Sequence, residues 1–171
     1  MIVIGTTPGR EEWLQQCLAS IQHPVLVLSD FTFELGKIKW VFENTKIQRF
    51  MFLQDSVVIK NQSLFDLLYK DKGSIALTND PGMYGMYLGV YERNILEKIE
   101  IPLPKNKSES IAYELSWTES YCKAARNVRL AFTDFSDSRS KEKTVLFGRE
   151  NLVLENDFLI KYKGNWGQSV V

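Results

Sequence analysis

The run Arg49-Phe50-Met51-Phe52-Leu53-Gln54-Asp55-Ser56-Val57-Val58-Ile59 constrains the fold more than any other stretch of the chain. Four consecutive apolar residues, Phe50 to Leu53, are too few for a helix and suit a strand covered on both faces. The run breaks at Gln54-Asp55-Ser56 before β-branched residues resume. A carboxylate at that point lies where α/β sheets bind ligands, in the crevice beyond the carboxyl ends of the strands. Asp55 either serves such a crevice or merely turns the chain and caps the next element.

The rest of the chain alternates strands and helices around this one. Ile2 to Thr6 reads as a short buried strand, and Thr6-Thr7-Pro8-Gly9-Arg10 as a turn opening a helix. Trp13, Leu14, Cys17, Leu18 and Ile21 recur at helical spacing, and the helix ends near Gln22 because Pro24 disfavours helical geometry at His23. Val25 to Leu28 is a second strand closing on Ser29-Asp30, which makes a right-handed βαβ unit. A second helix turns Ile38, Val41, Phe42 and Thr45 inward, and another spans about Gln62 to Lys70. Further strands are expected over Ser74 to Thr78, Met86 to Tyr91 and Val128 to Phe132, with a helix from Arg93 to Ile99 and a turn at Asn79-Asp80-Pro81-Gly82. Asp134 to Lys143 reads as a polar loop and Thr144 to Phe147 as apolar again. The expected architecture is a single α/β domain over 1–171, with a central, mainly parallel sheet flanked by helices and the segment 144–171 completing its cleft.

The helix from about Ser108 to Ala125 carries the sharpest chemical signal. Ile111, Leu115, Thr118, Cys122 and Ala125 define its expected inward face, and Glu114 falls among them. Burying a carboxylate is costly unless it is partnered or protonated. Glu114 is therefore a satisfied structural acid or a base facing a cleft.

Composition excludes several classes. Basic and acidic residues balance at 21 each, so no global charge favours nucleic acid. No apolar run approaches the roughly 20 residues of a membrane span, so no membrane partner is expected. The 2 cysteines, Cys17 and Cys122, read as reduced thiols on helix faces of a cytoplasmic protein. With 1 histidine, His23, beside a proline turn, a histidine-rich metal site and a Ser-His-Asp triad are both disfavoured.

Three successive strands end in Thr6-Thr7, Asp30 and Asp55 on one sheet edge. Together with Ile2-Val3-Ile4-Gly5-Thr6-Thr7-Pro8-Gly9-Arg10, Trp13-Leu14-Gln15-Gln16-Cys17-Leu18 and the 50–59 run, this pattern resembles a small GT-A glycosyltransferase, broadly of the family-2 type. The resemblance implies a GT-A-like (Rossmann-like) sandwich that binds a nucleoside diphosphate sugar donor. Donor binding would fall on Thr6, Thr7 and Arg10 at the first strand and on Asp30 at the second. Asp55 would stand in the acidic metal motif, implying a divalent Mn or Mg, and Glu114 at the position of the catalytic base. The tail from Gly148-Arg149 through Lys161-Tyr162-Lys163 resembles small phage-encoded enzymes that glycosylate hydroxymethylated pyrimidines, implying DNA as an acceptor. The chain departs from that pattern at Gln54-Asp55-Ser56, which carries one acid where the metal motif has two or three. Either Asp55 and the donor phosphates hold a metal, or Arg149, Lys161 and Lys163 replace it in neutralising the leaving diphosphate. A sugar-nucleotide-binding module without catalysis is the alternative.

Overall fold

The computed structural model describes residues 1–76, 86, 88–126, 128–130 and 152–162. Arg149, Lys163, the 79–82 turn and the segments 134–143 and 144–147 lie outside the described residues.

The two faces of one sheet are built by different helices. Strands β1 (Ile2–Thr6), β2 (Val25–Ser29) and β3 (Arg49–Gln54) lie in the order β2-β1-β3 and run parallel. Helix α1 (Glu11–Ala19) joins β1 to β2, and α2 (Glu34–Asn44) joins β2 to β3. Side chains of β1 and β3 alternate between faces. Ile2, Ile4, Met51 and Leu53 pack on the α1 side with Cys17, whereas Val3, Phe50 and Phe52 pack on the α2 side with Leu35, Ile38 and Val41. This double burial is why the 50–53 run is apolar without a break.

Beyond β3 the sheet continues through β6 (Leu88–Glu92), β5 (Ser74–Ala76) and β7 (Val128–Leu130). Strand β6 runs antiparallel to β3 and β5, so the sheet is mixed where a mainly parallel one is expected from sequence. The connection over 77–87 is too short for the crossover helix that a parallel neighbour needs. Strand β4 (Val57–Ile59) leaves this sheet and pairs instead with β9 (Leu159–Tyr162), which pairs with β8 (Leu152–Glu155).

The helix expected over 62–70 is a 3-10 turn, Gln62–Phe65, running into α3 (Asp66–Tyr69). The His23 ring packs against Phe65 and Tyr69, at 4.8 and 5.5 Å between centroids. The expected Arg93-to-Ile99 helix is the single turn α4 (Arg93–Leu96). Helix α5 (Lys107–Ala125) starts at Asn106, whose side chain accepts from the Glu109 N–H at 2.9 Å, while Glu109 accepts from the Lys105 N–H at 2.8 Å. That reciprocal clamp explains Glu109 as a helix-start residue.

The inward face of α5 differs from the expected one. Ser110, Trp117, Thr118 and Tyr121 are buried, whereas Ile111 and Leu115 are exposed at 49% and 39%. Aromatic area decides the rotation: Trp117 and Tyr121 pack on Tyr91 at 6.0 and 5.2 Å, and Tyr91 on Phe50 at 5.8 Å. Glu114 is left half-buried at the margin of the face. Among the described residues no helix is long and apolar enough to cross a membrane.

Candidate functional site

Strand order reverses at β1. From β1 the chain moves out to β2 across one face, then returns over the other face to β3 on the opposite side. The carboxyl ends of β1 and β3 therefore flank a topological switch point, where open α/β sheets form their ligand crevice. Thr6, Asp30, Gln54 and Asp55 all lie at or just past strand ends on this edge, as the sequence leads one to expect.

Alternation along β3 then separates Gln54 from Asp55. Asp55 turns to the α1 side, where Arg10 grips it bidentately: Nε donates to Oδ2 and Nη2 to Oδ1, both at 2.7 Å. Thr6 Oγ1 also donates to Oδ2 at 2.7 Å, and the Asp55 N–H donates to the Gly5 carbonyl at 3.0 Å. Asp55 is 1% exposed. The Arg10 guanidinium lies under Trp13, 5.0 Å from the ring centroid, and Trp13 meets Tyr162 edge-on at 6.1 Å. Arg10, Thr6 and Asp55 thus form a closed brace between α1, β1 and the end of β3.

This brace tests the implied metal. A hard divalent cation needs open oxygen ligands. Both Asp55 oxygens are committed to Arg10 and Thr6, and a second buried cation, Lys161, bonds to the adjoining Ser56. A metal centred on Asp55 does not fit these residues.

Lys161 reaches the site because β9 pairs with β4, placing it opposite Val57. Its ammonium donates to Gln54 Oε1 at 2.9 Å, Ser56 Oγ at 2.5 Å and the Tyr162 carbonyl at 2.6 Å. Gln54, pointing to the α2 side, donates its amide N–H in turn to Glu34 Oε1. A buried cation, an amide and a half-buried carboxylate therefore run in line from the small sheet to the first turn of α2. On this side the end of β3 presents Gln54 to Glu34 of α2, and Asp55 does not take part.

Asp30 sits at the other flank with its side chain 40% exposed. Oδ1 accepts from the Thr32 N–H at 2.8 Å, from the Thr32 hydroxyl and from Lys37 Nζ at 3.0 Å. Among the described residues Oδ2 accepts no hydrogen bond. Burial raises the Asp30 pKa, but the Thr32 and Lys37 bonds together outweigh it and hold the carboxyl below its ordinary value. Lys37 is itself wholly buried, and burial pushes its ammonium below the ordinary lysine value against the pull of Asp30, Glu34 and Asp55. Its stem crosses Gly5, where a Cβ would come within 2.8 Å of Lys37 Cδ and 2.7 Å of the Phe52 ring. Glycine at the end of β1 makes that passage available. Thr7 comes next, half-buried at the crevice.

Glu114 lies on α5, where Oε1 accepts from the Met86 N–H at 3.4 Å. Trp117 belongs to the core, donating its indole N–H to the Glu100 carbonyl at 3.0 Å. The structure thus brings Thr6, Arg10 and Asp55 into one buried cluster, seats Lys161 beside it on Gln54 and Ser56, and does not join Asp30 or Glu114 to that cluster. Sequence reasoning misses Glu34, Gln54 and Lys37. Lys37 is discoverable by the same test as Glu114, since it lies on the apolar arc of its helix with Ile38 and Val41.

No protein-family model matches this chain, and no curated protein matches it. Among solved structures the chain is similar to one titled "Crystal Structure of A197 from STIV", at 14% identity and a TM-score of 0.41, over 60% of this chain and 70% of that one. A likeness of that size carries no functional argument.

Proposed function

We propose that this chain is a glycosyltransferase of GT-A-like architecture that takes a sugar from a nucleoside diphosphate donor to a hydroxyl acceptor. The observation that carries the reading is the switch-point crevice between β1 and β3, flanked by an aspartate with one open oxygen. Asp30 Oδ2 accepts from a base N–H or a ribose hydroxyl of the donor. Thr7 and the turn after β1 adjoin that nucleoside. Lys161, held through Gln54, places positive charge beside the diphosphate without a metal.

Glu114 acts as general base. The acceptor oxygen forms a bond to the anomeric carbon as the bond from that carbon to the diphosphate oxygen breaks. The electron pair leaves with the diphosphate, and the acceptor proton passes to the Glu114 carboxylate. Its Oε1 accepts from the Met86 N–H at 3.4 Å. Acceptors include small-molecule hydroxyls and, as a specific arm of the test, hydroxymethylated pyrimidines in DNA.

The sealing of Asp55 by Arg10 favours a second reading, a module that binds the donor without turnover. One experiment separates the two. Purified protein is incubated with a panel of nucleoside diphosphate sugars and either hydroxymethylated DNA or simple alcohols, with Mn²⁺ or EDTA, and products are read by mass spectrometry. A sugar adduct that survives EDTA and is lost in Glu114→Gln supports the transferase. Donor-dependent thermal stabilisation without an adduct, abolished in Asp30→Ala, supports the binding module. Failure of every donor to bind refutes both.

A further inference from the structure

The six-stranded sheet has two lateral edges, and the chain treats them differently. Strand β7 ends one of them with 3 residues and carries Arg129, which pairs with Asp71. Short length and a charged side chain are usual protections of an open edge. Strand β2 ends the other and pairs with β1 alone among the described residues. Its 5 residues, Val25-Leu26-Val27-Leu28-Ser29, carry no charge and no proline, and their register on β1 is unbroken. Alternate residues of such a strand turn their N–H and C=O groups outward, where no neighbour pairs them. Val25, Leu26 and Val27 all stay partly exposed, Val25 resting on the α1-side core and Leu26 on the α2-side core.

Two large exposed rings stand at the ends of this strand. Phe31, 68% exposed, follows Ser29 by two residues. Tyr69, 54% exposed, packs on His23 just before the amino end, with 5.5 Å between the ring centroids. A strand laid antiparallel along β2, with a two-fold axis at Val27, brings these ends together. Leu26 then opposes Leu28 and Val25 opposes Ser29, while Asp30 falls opposite Pro24. Phe31 falls beside His23 and Tyr69 of the other strand, once at each end. No like charges meet anywhere along this register.

A patch that complements itself under a two-fold axis selects a second copy of the same chain as its partner. The formal net charge of 0 adds no long-range repulsion between copies. We propose that β2 is a dimer edge, where antiparallel pairing with β2 of a second copy joins the two sheets into one. The proposal stands apart from the transferase reading and needs no ligand. Because Asp30 directly follows β2, the second copy borders the same flank of the crevice. A ribbon of this length with one ring contact at each end is smaller than the roughly 800 Å² per partner of stable interfaces. The dimer is therefore reversible, with a Kd of about 10–100 µM.

Sedimentation velocity of the full chain from about 1 to 300 µM reads the association. The wild type should pass from monomer to dimer across that range. Val27 opposes itself at the two-fold axis, so Val27→Lys and Val27→Glu should each stay monomeric through like-charge repulsion. An equimolar mixture of the two variants should restore the dimer, which no general loss of stability would produce. Phe31→Ala combined with Tyr69→Ala leaves the strand untouched and should weaken association at least about tenfold by removing the ring burial at both ends. If the Val27 variants fail to fold, hydrogen exchange of the wild type decides, because amides within 25–29 should slow as concentration rises. A wild type that stays monomeric throughout overturns the proposal and leaves the edge to a strand of another protein. A dimer unmoved by the Val27 and ring variants, or a mixture as monomeric as its parts, overturns it as well.

Discussion

Replacing Asp55 by asparagine separates a structural brace from a ligand-binding acid. The Arg10–Asp55 pair is 6% and 0% exposed at its side chains, so solvent screens it little. Asparagine keeps the shape but removes the charge, leaving the guanidinium buried opposite a neutral amide. Removing one member of a buried pair costs about 3–5 kcal/mol. For a chain of this size that corresponds to a fall in Tm of roughly 6–20 °C. Replacing both partners by apolar residues, Arg10→Met with Asp55→Leu, removes the uncompensated charge and should recover most of the loss. Urea denaturation monitored by tryptophan fluorescence reads all four corners of the cycle, with Trp13 reporting locally because it covers Arg10. A loss below about 1 kcal/mol in Asp55→Asn, or a double variant as unstable as the sum of the singles, would refute the brace. Retained stability with abolished donor binding would place Asp55 in the ligand site instead.

The same geometry sets three further outcomes. Gly5→Ala places a methyl against Phe52 and Lys37 and should cost about 1–3 kcal/mol in chemical denaturation, because both neighbours are locked. Lys37→Met removes a partner that lowers the Asp30 pKa, so that pKa should rise in a carbon-detected carboxyl titration. In the wild type the folded value lies below the unfolded one, so the Asp30 contribution is present above the unfolded value and lost as pH falls through the folded one; Lys37→Met should weaken this acid dependence. Cys17, pushed by burial up to about 12, should resist a disulfide reagent at pH 8 until the protein unfolds. Its contribution is present below the ordinary thiol value of 9.0 and is lost as pH rises through about 12, which alkaline denaturation of the wild type against Cys17→Ala would detect.

The strands and the first helices are legible because buried strands declare themselves as unbroken apolar runs between turn residues. The direction of Asp55 is not. A strand covered on both faces carries no polar alternation, so nothing near Asp55 says which side is which, and its partner Arg10 is 45 residues away. Glu34 is invisible for another reason: an acid in the first turn of a helix is what the helix dipole favours anyway. Around α5 the aliphatic residues suggest one face, while the larger area of Trp117 and Tyr121 selects a neighbouring one. Tyr91 reads in sequence as an ordinary strand aromatic, and the room its ring takes depends on the missing side chain at Gly89, two residues before it. The reversed course of β6 is dictated by connection length, which sequence displays, but its place beside β3 is a tertiary choice.

The pairing of β4 with β9 also sets the order in which the crevice can be assembled. Lys161 meets Gln54 across 107 residues of chain, and Ser56 across 105. Closing a loop of that length carries an entropic penalty that no local contact offsets in advance. The β1-α1-β2-α2-β3 half contains its own core on both faces and can collapse from short-range contacts, but its carboxyl edge stays chemically unfinished until the hairpin of β8 and β9 docks. Until then Gln54 lacks the cation that orients its amide, and Glu34 lacks a fixed partner. Completion of this edge is thereby tied to synthesis of β9: a nascent polypeptide carries the frame of the edge well before it carries Lys161.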